Sequence, residues 1–290
     1  MSFVRQILVA ATVALLLLAS AAAHAAVKAN PPAYRAVVGA IRFLGKPIKA
    51  LFPRIEVIGK EHLDAVEGSA LLASTHIANA DSIALALATR GRAIHYMGKR
   101  EVFDTPVLGG FARAMGSWPV DRAHPDREAI NRASAESLTG RDVLGIFPEG
   151  TTSSLDPAGA AEAQARLGSN PSAKDLRHAR VSVLFGGPTK PGAAYQAVVN
   201  DVPVVPVVIL GTRKLETAPK RLIARLRGQK PAEAPPKRLG IKVIYGAPIA
   251  PDQDRSVPES DRVHALQSQI EDAQRTLAAP FLRAGQRQIW

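Results

Sequence analysis

The 290 residues hold 37 Lys and Arg against 25 Asp and Glu, a formal charge of +12, with 47% hydrophobic and 21% charged side chains. That balance fits a chain with a sizeable core and excludes wholesale disorder. The absence of cysteine excludes disulfides, thiolate catalysis and Cys-based metal sites. The positive charge favours anionic partners, and its placement narrows them. No Asp or Glu precedes Glu56, whereas Arg5, Lys28, Arg35, Arg42, Lys46, Lys49 and Arg54 all lie in that stretch beside an apolar segment, the pattern of a protein at a membrane surface. The basic residues are not interleaved with stacking aromatics, so no nucleic-acid partner is expected.

In chain order, residues 1–27 come first. Ile7 to Val27 is apolar or small apart from Thr12, Ser20 and His24, about the length that spans a bilayer. Arg5, the Leu15 to Leu18 run and Ala23-His24-Ala25 fit a cleavable signal equally well. The flank rule places the main domain inside, because Lys28, Arg35 and Arg42 outnumber Arg5. Residues 28–53 read as a basic amphipathic helix entered through Pro31 and Pro32. Tyr34, Val37, Val38, Ile41 and Leu44 share a face opposite Arg35, Arg42 and Lys46. Such a helix lies in the bilayer interface or packs on the globular core.

From residue 54 to 290, short apolar runs alternate with helical patterns, as in an α/β domain. Strands are predicted over 54–58, 70–74, 93–97, 143–147, 204–210 and 241–245. Helices are predicted over 81–89, 106–115, 126–138, 193–200 and 259–279. An Ala-, Gly-, Pro- and Ser-rich stretch at 155–189 reads as a partly helical surface insertion, and 214–238 as a basic surface loop. The prolines of Val202-Pro203-Val204-Val205-Pro206 predict an edge strand or a strand entry.

Four constellations carry chemistry. The first is Thr75-His76-Ile77-Ala78-Asn79-Ala80-Asp81, between a predicted strand and a predicted helix. On a regular helix Asp81 would point roughly 140° away from His76, so the pair meets only if the chain bends between them. A carboxylate on one imidazole nitrogen fixes the tautomer and leaves the other nitrogen as a base. The spacing alone is common, and a surface His beside an N-capping Asp81 is the plainer reading. The second is Gly98-Lys99-Arg100-Glu101, continuing to Asp121-Arg122. Its cations either converge on a phosphate, gripped bidentately by Arg122, or form a solvated face with Arg122 paired to Asp121 or Asp126. The third is Phe147-Pro148-Glu149-Gly150-Thr151-Thr152-Ser153 at a strand's carboxyl end, where Gly150 would let backbone amides approach an oxyanion or phosphate. A ligand-free turn is the alternative. The fourth, Lys190-Pro191-Gly192 running into the 202–210 apolar stretch, is structural when taken alone.

In this order the four segments, with Gly246-Ala247-Pro248-Ile249, resemble the phospholipid and glycerol-phosphate acyltransferase family of the 1-acyl-sn-glycerol-3-phosphate acyltransferase type. The resemblance covers about residues 55–249. It implies an α/β fold with a mixed central sheet flanked by helices, preceded by a membrane helix. His76 and Asp81 match the catalytic positions. Arg122, Glu149, Gly150, Thr151, Lys99 and Lys190 match positions for the acyl acceptor and its phosphate. The implied reaction transfers a fatty acyl group from acyl-CoA or acyl carrier protein to a lysophospholipid hydroxyl, with no metal or redox cofactor. It also implies an uncleaved anchor, anionic membrane lipids as partners and a site at the cytoplasmic face of the inner membrane, since acyl thioesters are cytosolic. Thr75 stands where the family commonly has Asn, Thr152 where it often has Arg, and the 155–189 insertion is long. These departures keep a lyso-ornithine or other lysolipid acceptor, and a non-catalytic lipid-binding role, as alternatives.

Overall fold

Apolar runs four to seven residues long become strands, and 3.6-periodic stretches become helices. In chain order the elements are β1 (Arg54–Ile58), α1 (Lys60–Asp64), β2 (Ala70–Ser74), α2 (Asp81–Ala88), β3 (Ile94–Lys99), α3 (Arg100–Phe103), β4 (Trp118–Val120), α4 (Arg127–Ser137), β5 (Val143–Ile146), α5 (Pro157–Ala165), α6 (Gly192–Asn200), β6 (Val204–Leu210), β7 (Gly240–Tyr245) and α7 (Glu259–Ala278). The computed structural model describes residues 54–104, 109, 112–113, 116–121, 123–167, 179–213 and 240–282. The segments 1–27 and 28–53, the basic stretch 214–238, Arg122 and most of the helix expected over 106–115 lie outside these residues. Among the described residues no helix is long and apolar enough to cross a membrane. The chain falls into two compact units, a smaller one that includes residues 93–144 and a larger one that includes 55–92 and 145–282.

In the smaller unit β3 and β4 pair in parallel, with Met97 opposite Trp118 and Lys99 opposite Val120. The buried His95 lies between the Gly116 carbonyl (3.1 Å) and the Asp142 carboxylate (3.3 Å). Asp126 caps α4 by accepting from the Ala129 amide at 3.0 Å, satisfying one of the helix's orphan donors. Sequence patterning passes over β4, a three-residue strand that contains Pro119.

In the larger unit the strands run β1-β7-β6-β2. β2 pairs with β6 in parallel and β6 with β7 antiparallel, so the sheet is mixed. All seven residues of β6 are buried, which explains its unbroken apolar run. Ile244 packs in a cluster with Val208, Leu210, Val183 and Ala278 of α7. Its neighbour Tyr245 hydrogen-bonds Thr89 at the end of α2 (3.0 Å). Successive strand residues face opposite sides, so α2 and α7 cover opposite faces of the sheet.

Two sequence expectations are corrected here. Pro203 stands at the entry of β6, one of the two alternatives, but β6 is not an edge strand, because it lies between β2 and β7. Val204 exchanges amide hydrogen bonds with Ile249 (2.9 and 2.8 Å), and the Gly246 amide donates to the Pro206 carbonyl (2.8 Å). Between those contacts β6 advances two residues and the returning chain three. The missing N–H of Pro206 therefore falls at a bulge, just where β7 has ended. The 155–189 stretch is also not confined to the surface. Leu155, Val183 and Leu184 are buried in the core cluster, and Ser154 and Val181 form a parallel bridge that closes the excursion.

α7 is locked to the sheet by Gln274, 1% exposed, whose side-chain amide donates to the carbonyls of Ala73 (3.0 Å) and Val207 (3.3 Å). Gln274→Ala removes both bonds and leaves a void. It is expected to lower stability by about 2–4 kcal/mol, read as a reduced midpoint of urea unfolding with unchanged slope.

Candidate functional site

β2 ends at Ser74, and the chain bends before α2 begins at Asp81. Past its last residue β2 is prolonged by Thr75, whose amide donates to Val207 (3.2 Å) and whose hydroxyl accepts from the Ile209 amide (3.0 Å). Thr75 is fully buried and fixes the point from which the next residue leaves the sheet.

That residue is His76. Its Nδ1 lies 3.0 Å from Asp81 Oδ2, so the bend required by the five-residue spacing is present. Asp81 is fully buried and does not cap the helix it begins. Its Oδ2 accepts instead from the amides of Ile77 (2.7 Å) and Ala78 (2.8 Å), within the bend itself. Its Oδ1 accepts from the Thr212 hydroxyl at 2.5 Å. A carboxylate removed from water requires this many donors. The His76 ring stacks on Phe147, with centroids 4.2 Å apart and planes at 23°. Its side chain is 17% exposed, and among the described residues nothing hydrogen-bonds Nε2. One nitrogen is thus bound and oriented, while the other is available to take a proton.

The Phe147 to Ser153 segment turns at Gly150, whose φ of +69° suits glycine. The Gly150 amide donates to the Phe147 carbonyl (2.9 Å), which closes the turn. Thr151 and Thr152 are partly exposed, and among the described residues Thr151 has no hydrogen-bond partner. The Ser153 amide donates to the His76 carbonyl (2.7 Å), which ties this loop to His76.

Glu149 points inward. It is 3% exposed and accepts from the hydroxyls of Ser153 and Ser182, the latter at 2.8 Å. Burial pushes its carboxyl up to about 8, against the hydrogen bond from Ser182 and the amide of Val183, with the nearby Asp81 adding to the rise. Lys190 is anchored by its amide to the Pro148 carbonyl (2.8 Å), and its side chain lies along Gly150. A Cβ built there would sit 3.2 Å from Lys190 Cδ and Cε. The preceding Thr189 is held by Glu271 and by Gln267 (2.8 Å), both on α7.

The larger unit therefore brings together His76, Asp81, Glu149, Gly150, Thr151 and Lys190. Lys99 is exposed at the end of β3 in the smaller unit. Arg122 lies outside the described residues. Its neighbour Asp121 accepts from the amides of Ala123 (2.9 Å) and His124 (3.2 Å), and these bonds hold its carboxyl below the usual range. Sequence reasoning missed Thr212 and Ser182. Thr212 had a weak signal, a Gly-Thr pair directly after an apolar strand. Ser182 had none, since it is one serine in a composition-biased stretch.

A family model described as Acyltransferase matches residues 54–210, more than half of the chain. The 1-acyl-sn-glycerol-3-phosphate acyltransferase of Bacillus subtilis is 35% identical over 111 residues, which cover 38% of this chain and 55% of that protein. The enzyme of the same name from Streptococcus pneumoniae is 29% identical over 97 residues, covering 33% and 37%. The chain thus spans about half the length, or less, of the curated relatives it matches. Among solved structures, the 1-acyl-sn-glycerophosphate acyltransferase of Thermotoga maritima aligns with a TM-score of 0.51 at 20% identity, covering 88% of this chain and 83% of that one. At that identity the likeness is one of fold.

Glu149 gives the site a pH signature. A carboxyl whose folded value lies above its ordinary 4.5 stabilises the fold fully only below that value, and the contribution is lost as pH rises through about 8. Thermal midpoints of the wild type should fall relative to those of Glu149→Gln between these limits. Parallel curves for the two proteins would show that Glu149 is not protonated in the fold.

Proposed function

The chain belongs to the acyltransferase family, and from the arrangement around His76 we propose that it moves a fatty acyl group from acyl-CoA or acyl carrier protein to the free hydroxyl of a lysophospholipid. The acceptor is 1-acyl-sn-glycerol 3-phosphate and the product phosphatidic acid. The observation that supports this reading most is the buried Asp81 carboxylate on His76 Nδ1, with Nε2 left without a partner among the described residues.

In this reading the acceptor's hydroxyl oxygen attacks the thioester carbonyl as His76 Nε2 takes its proton. The tetrahedral adduct collapses with cleavage of the C–S bond. The departing thiolate takes the proton back from Nε2, leaving an ester and a free thiol. The reaction calls for no metal or redox cofactor. Lys190, anchored by its amide to the turn that is tied to the His76 carbonyl, supplies a cation for the acceptor's phosphate, and Thr151 supplies a hydroxyl. By sequence position alone, Lys99 and Arg122 are further candidates for binding the acceptor. Acceptor and product are lipids, and acyl thioesters are cytosolic. The reaction therefore sits at the cytoplasmic face of the inner membrane, with residues 1–53 as the membrane-binding part. Thr152, in place of a family arginine, supports a second reading in which the acceptor is a lyso-ornithine or other lysolipid.

Thioester-dependent acylation of a lysolipid panel tests the proposal. His76→Ala and Asp81→Ala should each lower transfer by at least about a hundredfold. Wild-type transfer by a folded His76→Ala protein would end the proposal, and binding of liposomes without transfer to any acceptor would favour a lipid-binding role. Lys190→Ala should raise KM for a phosphate-bearing acceptor, with a smaller effect at high salt.

A further inference from the structure

We propose that Thr212 is the third member of the His76–Asp81 constellation, a positioning residue whose hydroxyl sets the plane of the Asp81 carboxylate and through it the aim of His76 Nε2. The inference rests on His76 acting as the base.

The two oxygens of Asp81 are served differently. Oδ2 receives His76 Nδ1 and the amides of Ile77 and Ala78, all from the bend that carries His76. Oδ1 receives the Thr212 hydroxyl, from a position 131 residues away in sequence. All three donors on Oδ2 ride on the bend and move with it, so they hold the carboxylate to His76 but not to the sheet. A donor on Oδ1 from the end of β6 supplies that second anchor and fixes the carboxylate plane against the sheet. Thr212 is the one residue outside the bend that hydrogen-bonds Asp81 among the described residues.

Thr212 is well placed to be rigid. It is fully buried. It follows Gly211, whose φ of +88° and whose approach to the Gly240 carbonyl, 2.3 Å from any Cβ, permit no side chain. That turn ends β6 and directs Thr212 back over the bend. Three residues before Thr212, the Ile209 amide donates to the Thr75 hydroxyl, so the strand that delivers Thr212 is hydrogen-bonded to the strand that delivers His76. Both side-chain partners of Asp81 thus start from one stretch of paired backbone. The plainer alternative is that Thr212 only satisfies a buried oxygen and contributes to folding.

The test compares Thr212→Val, which keeps the shape and removes the donor, with Thr212→Ser, which restores it. Thr212→Cys, a weak donor of similar size, serves if the valine variant does not fold. All are made in the full chain, and kcat, KM, the thermal midpoint and the downfield Nδ1 proton resonance of His76 are measured, the resonance being assigned by its loss in His76→Gln. Folded Thr212→Val should lose about ten- to hundredfold in kcat at unchanged KM, with the resonance displaced, and Thr212→Ser should recover both. Thr212→Cys should fall between them in kcat. Wild-type kcat and an unmoved resonance in folded Thr212→Val or Thr212→Cys would overturn the proposal, as would a loss in melting temperature alone. The resonance is read without substrate. If the wild type transfers no acyl group but the resonance still moves, the positioning role stands and the proposed function fails.

Discussion

The structure around the site depends on keeping a carboxylate out of water. Removing such a group from solvent costs several kcal/mol unless donors replace the lost hydration. Asp81, with no exposed surface, receives two amides, an imidazole and a hydroxyl. Those four donors define the local architecture. The amides require the chain to curl between Ser74 and Asp81, the imidazole requires His76 to face inward on one edge, and the hydroxyl requires β6 to end in a sharp turn. None of the three could be released without leaving part of the charge unsatisfied.

The same economy explains why β6 tolerates Pro206 in the middle of a sheet. A proline costs a ladder bond only where a partner strand presents an acceptor, and at that level β7 has ended and the chain bulges past Pro206. The bulge there lets the chain from Gly246 to Ile249 return to Val204, and α7 then covers the opposite face through Gln274. Sheet order and site geometry are linked, since β2 and β6 carry His76 and Thr212 at their adjacent carboxyl ends.

The strands β1, β2 and β6 were legible residue for residue, because runs of Val, Ile, Leu and Ala bounded by Gly, Pro or polar residues leave few other choices. The ends of β3 and β7 moved by one or two residues, since nothing in their sequence marks where pairing stops. β4 was invisible, being too short to show a period. In the site, His76 and Asp81 were legible because their spacing falls between two readable elements. The orientation of Glu149 was not, because nothing in Phe-Pro-Glu-Gly tells whether the carboxylate faces a ligand or the interior. What decides it is Ser182, some thirty residues on in a stretch whose composition reads as surface. Gly150 was recognised as a turn, but which carbonyl its amide would take depends on loop geometry that the residue type does not encode.

The bridge between Ser154 and Val181 has a consequence for how this chain can diverge. A segment whose two ends are paired is a closed loop, and the entropy of closing it grows only logarithmically with its length, by about 0.6 kcal/mol per doubling. Closure entropy therefore sets only a weak limit on the length of chain between Ser154 and Val181. Its returning end cannot drift, because Ser182 immediately follows the bridge and holds the buried Glu149. The excursion behaves as an adjustable span on fixed abutments, free to take on new surface without disturbing the chemistry at its foot.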